Sequence, residues 1–238
     1  MRRREFVLAA CCAVCAGAAR AGNLVEPHMH FVPPAGRRQV ALTLDACMGE
    51  TDMRILGPLL EERVKATIFA TRRWIDNNAA AVELIKAHAD LLQVQNHGAQ
   101  HLPAVIGTEK VYGIAPAGTA DAVFAEVLGG EQAVATAFGA APGWYRDATA
   151  LYSRDAIELI GTMGQRIAGF SLNGDIGASV SGEVAKARIG AAKSGDVIIS
   201  HINQPKRPAG AGVIEGILVL AAQGFDFVHL DDVDIVAL

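Results

Sequence analysis

A chain of 238 residues, 51% hydrophobic and 19% charged, is long enough to bury a full core and too apolar to be disordered. Its formal net charge is −4, and no extended run of Lys or Arg follows the extreme N-terminus, which excludes a nucleic-acid partner. Aromatic residues make up only 5%, so the core has to come from Ala, Val, Ile and Leu.

Residues 1–21 read as a secretory signal peptide. Arg2, Arg3 and Arg4 form a basic start, 6–19 is an apolar run of small residues, and Ala19-Arg20-Ala21 offers a cleavage site. The run is shorter than the ~20 residues a membrane span needs, so no span is expected in the mature chain. Arg3-Arg4-Glu5-Phe6-Val7 is similar to a twin-arginine signal, and the expected location is outside the cytoplasm, periplasmic or extracellular. A lipoprotein box ending at Cys11 fits less well, because few apolar residues precede it. Cleavage removes four arginines and one glutamate and moves the formal charge to about −7. It also removes Cys11, Cys12 and Cys15, leaving Cys47 without a disulfide partner.

Residues 22–38, with Pro27, Pro33 and Pro34, read as an extended lead-in. The run 40–44 reads as a buried strand that ends on the lone carboxylate of Asp45. A helix over 52–64 and a strand over 66–70 follow. Asp76 is the expected cap of a helix over 77–89, with Val82, Ile85 and Ala89 on one face. A strand over 91–94 leads to His97 and His101. A helix over 119–138 precedes the short 143–145 stretch and Arg146. After a helix over 153–163, a strand over 167–172 leads to Asp175. A helix over 182–193 and a strand over 196–200 lead to His201. A helix over 213–223, closed by Gly224, and a strand over 225–229 complete the chain. This alternation means an α/β fold with a mainly parallel sheet in a single domain; periodicity does not separate a closed barrel from an open sheet.

In either architecture reactive residues gather at strand ends, and here ionisable side chains follow five apolar runs in succession. His97 and His101 in QNHGAQHLP are a pair suited to a divalent metal such as zinc, provided a turn rather than a helix brings the rings together, since Gly98 and Pro103 disfavour a helix.

With these residues in place the chain resembles the polysaccharide deacetylases of carbohydrate esterase family four, the nodulation-factor deacetylase homology domain. The resemblance runs from about Gln39 to the C-terminus, which makes 39–238 the expected catalytic domain. LTLD at 42–45 is similar to the family's Thr-Phe-Asp-Asp-Gly motif, and KATIFATRRWI at 65–75 to its Ala-Thr-Phe-Phe segment. NHGAQHLP matches its His-x-x-x-His motif. YRDAT at 145–149 stands at its Arg-x-Pro, NGD at 173–175 at its Asp-containing fourth motif, and IISH at 198–201 at its closing aliphatic-x-His. The resemblance implies a distorted (β/α) barrel of seven or eight strands and metal-dependent removal of N- or O-acetyl groups from a glycan. It implies Asp45 as the base that activates a metal-bound water, Arg146 as its partner, and His97 and His101 as metal ligands. His201 would be the acid that protonates the leaving group, and Asp175 would orient it.

One departure matters. The family's third metal ligand is the second Asp of its first motif, and here that position is Ala46. Asp45 turning onto the metal is the expected substitute; Cys47, Asp52 and Asp147 are alternatives, as is a site without metal. Cys47 also reads as a small buried apolar side chain. Asp147-Ala148 replaces the usual proline, and a second acid beside Asp45 would raise both pKa values. Arg146 has a plainer reading as a surface partner of Asp147 or Asp155, and Asp175 as a turn residue. Trp144 reads as core or as a platform for a sugar ring. His28 and His30 read as solvated, and His88 and His229 receive no role. The expected function is an exported hydrolase acting on a glycan. The alternatives are a carbohydrate-binding protein that has lost turnover and uses Arg146, His97 and Trp144, and a metal-independent amidohydrolase.

Overall fold

The computed structural model describes residues 24–237; the expected signal peptide, with Cys11, Cys12 and Cys15, lies outside the described residues. In chain order the elements are β1 (Met29–Phe31), β2 (Gln39–Ala46), α1 (Met53–Glu61), β3 (Ala66–Ala70), α2 (Arg72–Asn77), α3 (Ala79–Ala87) and β4 (Leu92–Asn96). Then come α4 (Ala120–Phe138), β5 (Trp144–Tyr145), α5 (Arg154–Thr162), β6 (Arg166–Ile167), β7 (Leu172–Asn173) and α6 (Gly182–Gly190). The last are β8 (Val197–His201), α7 (Ala209–Ala222), β9 (Asp226–Val228) and β10 (Ile235–Ala237). Thr119, Ser153 and Ser181 start α4, α5 and α6 by accepting from the backbone N–H three residues on.

Strands β6-β5-β4-β3-β2-β8-β7 form one curled sheet in that order, every pair parallel, and β9 adds to β2. Ala41 pairs with both Val197 and Val228, so β9 occupies the edge of β2 that β3 takes further along. The end strands β6 and β7 do not pair, and the result is a distorted barrel, open between them. The lead-in crosses this opening: Phe170 N donates to Pro27 O at 3.3 Å and Met29 N to Phe170 O at 3.2 Å. Strand β1 then pairs antiparallel with β10, joining the two ends of the described chain.

The expected strand over 167–172 is instead two short strands on opposite sheet edges, β6 and β7. Between them Ala168 and Gly169 turn their carbonyls to the Arg146 guanidinium, which Gly169 O meets at 2.8 Å, rather than into a ladder. Gly169 is pressed so close to the lead-in that a Cβ would lie 1.8 Å from the Pro27 carbonyl oxygen. The expected helix over 77–89 is α3, over 79–87, and a further short helix, α2, precedes it. Asp76 is not a cap: it lies inside α2, which Thr71 caps, and Asn78 stands at the start of α3 and separates the two helices. Asn78 is engaged elsewhere: Nδ2 donates to Gly49 O and Oδ1 accepts from Thr51 N, which ties the loop after β2 to the helices.

Strand β2 shows how the sequence is sorted. Val40, Leu42, Leu44 and Ala46 point out to the helices and join Ile55, Leu59 and Ile217 in the main core. The alternate residues Ala41, Thr43 and Asp45 point into the barrel. Its lower interior is filled by Met29, Phe31, Ala41, Phe69, Trp144 and Val197, each buried. Burying a large apolar side chain contributes about 1.5–3 kcal/mol. That sealed base leaves only the upper end of the barrel for polar groups.

Candidate active site

Five parallel strands deliver chemistry to that upper end. Asp45 stands near the end of β2, His97 just after β4, Arg146 just after β5, Asp175 just beyond β7, and His201 at the end of β8. Asp45 and His201 are register partners on adjacent strands, so proximity follows from the pairing itself.

Arg146 is wholly buried and uses its whole fork. Nη1 donates to Asp45 Oδ1 at 2.8 Å and to Thr43 Oγ1 at 2.9 Å, Nη2 donates to Gly169 O, and the guanidinium lies 4.2 Å above the Phe69 ring. Thr43 is oriented in turn by donating to Ile198 O at 2.7 Å. Burial opposes ionisation of Asp45, but Arg146, His97 and His201 together hold its pKa below 3.8. The plainer reading of Arg146 as a surface residue is therefore corrected: Asp45 is its partner, not Asp147 or Asp155. Asp45 Oδ2 is left 3.8 Å from His97 Nε2.

The two histidines are brought together by a tight turn. Gly98 has φ +86° and His101 φ +67°, and the rings meet edge-on with centroids 5.1 Å apart. The turn is wrapped around Glu126 of α4, a buried carboxylate the sequence reading passed over. Its oxygens accept from Gln100 N at 2.9 Å and Leu102 N at 3.1 Å, and a Cβ on Gly98 would lie 2.4 Å from Oε1. A signal was present: Val123, Glu126, Val127 and Gly130 share one buried helical face. His97 Nδ1 lies 2.8 Å from the Arg146 carbonyl, which only accepts, so Nδ1 carries a proton and Nε2 is the ring atom turned toward the site.

His201 is fixed by Asp175, which accepts from His201 N at 2.7 Å and from Nδ1 at 2.9 Å. Asp175 is fully buried, so it is no surface turn residue. Burial disfavours the charged ring, but Asp175 and Cys47 raise the His201 pKa well above 6.5. A cleft of about 340 Å³ opens over Asp45 and His201, walled by Asn173, Ile176 and Thr149, with Tyr112 exposed at its rim.

Cys47, His97 and His101 offer Sγ and ring nitrogens that all lie within 4.8 Å of one another. Cys47 Sγ is 3.5 Å from His97 Nε2, and His101 Nε2 is buried with no hydrogen-bond partner. Burial opposes charge on both groups, yet His97 and its neighbours lower the Cys47 pKa well below 9.0, and Asp45 and Cys47 raise His97 to about 9. A thiol and two imidazoles with converging donor atoms, one ring nitrogen of them orphaned, fit a divalent metal.

Two other acids take no part. Asp52 caps α1 and pairs with Arg54 at 2.6 Å. Asp147 accepts from Ala104 N at 2.7 Å and Thr149 N at 2.9 Å, fastening the loops beside the site. It does not raise Asp45 as expected; its own pKa is raised, from 3.8 to about 6, chiefly by burial. The folded chain thus holds the Asp147 proton more tightly than the unfolded chain, and stability falls as pH rises from 3.8 to about 6. Asp147→Asn removes this fall while losing one acceptor. Its destabilisation, read from urea unfolding, is expected to shrink by about 2–3 kcal/mol between pH 4 and pH 7.

A polysaccharide deacetylase family model matches residues 33–168, more than half of the chain. The chain belongs to the polysaccharide deacetylase family. Solved structures share the deacetylase fold. A family 4 carbohydrate esterase from Bacillus subtilis is 19% identical, with a TM-score of 0.65 over 85% of this chain and 83% of that one. The family 4 acetyl xylan esterase from Clostridium thermocellum, in complex with a cobalt ion, is 20% identical, with a TM-score of 0.65 over 82% and 89%. A family pseudoenzyme from Bacillus anthracis is 17% identical, with a TM-score of 0.64; the alignment covers 83% of this chain but only 66% of the pseudoenzyme. No curated protein sequence matches.

Within this deacetylase fold the remaining candidates have structural places. Trp144 is buried in the lower barrel, donates to Asp231 Oδ1 at 2.9 Å and carries Arg166 on its face, away from the cleft. His229 Nε2 donates to Leu91 O at 2.8 Å, and His88 Nδ1 to Leu84 O at 2.9 Å. His28 is exposed, as expected, whereas His30 is half-buried with Nδ1 unpartnered.

Proposed function

We propose that this chain is an exported, metal-dependent deacetylase that hydrolyses an acetamido C–N bond, or an acetyl ester, on a cell-wall or extracellular glycan. One observation carries the reading. A buried carboxylate held by Arg146 and a histidine held by Asp175 sit on adjacent strand ends above one cleft, beside the His97–His101 pair.

His97 and His101 would hold the metal, which when bound would polarise an acetyl carbonyl and acidify water. Asp45, ionised and with Oδ2 free of Arg146, accepts a proton from the water that attacks the carbonyl carbon. His201, kept protonated by Asp175, gives its proton to the departing nitrogen as the C–N bond breaks, releasing acetate and a free amine. Arg146 prevents Asp45 from turning away, and the sealed barrel base admits substrate from one side only.

A sugar-holding role without turnover, relying on Arg146, His97 and Trp144, has little support. Their exposures are 0%, 1% and 4%, so none presents a surface to a sugar. Protein purified without chelator is expected to carry about one divalent ion per chain and to release acetate from an N-acetylated chito-oligosaccharide or acetylated xylan. Chelation should abolish release, zinc should restore it, and His97→Ala should lack both metal and activity. Acetate release that survives complete metal removal would replace this reading with a metal-independent hydrolase.

A further inference from the structure

We propose that the third protein donor to the metal is the Cys47 thiolate, making an S/N/N site that selects zinc over hard ions such as magnesium and calcium. The inference rests on the metal-dependent reading above and adds to it the ligand that the missing second acid of the first motif leaves unfilled.

Strand alternation decides which residue reaches the site. Ala46 points outward and is fully buried in the core under the helices, so nothing placed there by β2 faces the barrel. Asp45 and Cys47, two residues apart, turn to the interior side. The loop carrying Cys47 is clamped. Thr71 Oγ1 donates to Cys47 O, Asn203 Nδ2 to Met48 O, and Asn78 Nδ2 to Gly49 O at 2.9 Å. The sulfur position is therefore set by the fold rather than by a mobile loop.

The distances suit the ion. Zn–S of ~2.3 Å and Zn–N of ~2.0–2.1 Å at a tetrahedral angle place sulfur and nitrogen about 3.6 Å apart. Cys47 Sγ and His97 Nε2 are 3.5 Å apart, and His101 completes a set whose donors are mutually within 4.8 Å. No Asp45 oxygen belongs to that set. Asp45 Oδ1 is committed to Arg146, and Oδ2, 3.8 Å from His97 Nε2, is left to take the proton of the attacking water. His101 Nε2, buried and unpartnered, gains a partner when the ion binds. Three protein donors and one open position are the pattern of a catalytic zinc site, and a thiolate favours that metal over magnesium, calcium or manganese. A bound ion would take the place of the proton held between Cys47 Sγ and His97 Nε2, which leaves to solvent.

Cobalt(II) provides the test, because thiolate ligation gives a near-ultraviolet charge-transfer absorption that imidazole and carboxylate ligands do not. The full chain, stripped and reloaded with one equivalent of cobalt, is expected to show the band; Cys47→Ser should lack it. Cys47→Asp, which supplies a carboxylate, should bind the ion without the band. Zinc affinity measured against a competing chelator should fall more than about 100-fold in Cys47→Ala, since even groups behind the ligands contribute 10–100-fold. Circular dichroism reports whether each variant is folded, and the band of the unsubstituted chain needs no variant. A cobalt-loaded chain without the band overturns Cys47 ligation. So does a Cys47→Ala protein that binds zinc unchanged while His97→Ala and His101→Ala lose it. Both outcomes leave the hydrolase reading intact. A chain that binds no ion yet releases acetate overturns both.

Discussion

Arg146→Met is expected to be the most destabilising single substitution in the site, at about 3–5 kcal/mol, because it strands a buried charge. Methionine refills much of the volume over Phe69, so the loss is electrostatic rather than a cavity. Asp45 Oδ1, Thr43 Oγ1 and the carbonyls of Ala168 and Gly169 lose their donor together. In the native chain the Asp45 pKa is lowered from 3.8. Its pairing therefore contributes stability above pH 3.8 that is lost as pH falls through the folded value. In the variant, burial acts unopposed by Arg146, and the preference moves toward the protonated acid. Thermal unfolding of Arg146→Met should drop by roughly 10 °C at pH 7 and by less at pH 4. Asp45→Asn added to Arg146→Met should recover part of the loss, since it removes the stranded charge. A single substitution that leaves the unfolding temperature unchanged would mean that the guanidinium does not neutralise Asp45.

How far the site was legible depends on how local each cause is. Asp45 declared itself because a lone carboxylate at the end of a continuous apolar run is costly without a partner. The histidines and His201 stood at the ends of runs that are strands in the structure, β4 and β8. The run 167–172 misled because its hydrophobicity is real but its carbonyls at 168 and 169 serve Arg146. Asp76 looked like a cap, yet the tertiary role of Asn78 set the helix break. In the sequence Cys47 reads both as a small apolar residue and as one of several alternative ligands; the register of β2, with Ala46 facing out, directs its sulfur to the histidines. Asp147 looked like a second acid in the site, and its carboxylate is consumed by two backbone N–H groups of flanking loops. The pairing of β1 with β10 joins the two ends of the described residues and leaves no local pattern to find.

His201→Gln is expected to lower kcat for acetate release by about 10²–10⁴-fold while leaving KM and metal content near their original values, the signature of a lost proton donor. Glutamine keeps a polar group but has no ionisable proton to hand to the leaving nitrogen. Asp175→Asn separates the two parts of the argument. Asp175 accepts the backbone N–H on one oxygen and the Nδ1–H of His201 on the other, so asparagine keeps the shape and one of the two acceptors and removes the charge. The native His201 pKa is raised well above 6.5, chiefly by the hydrogen bond to Asp175, so the ring holds its proton more tightly than a free imidazole. The alkaline limb of kcat/KM should therefore lie well above the usual imidazole range in the native chain and move down in Asp175→Asn, where the largest raising influence on the ring is gone. The stabilisation from this pair, present below the unfolded pKa and lost as pH rises through the folded one, should diminish in the same variant. If the alkaline limb stays fixed while kcat falls, Asp175 acts only by aiming the ring. If His201→Gln retains full kcat, the proton reaches the leaving nitrogen from another group and the acid assignment fails.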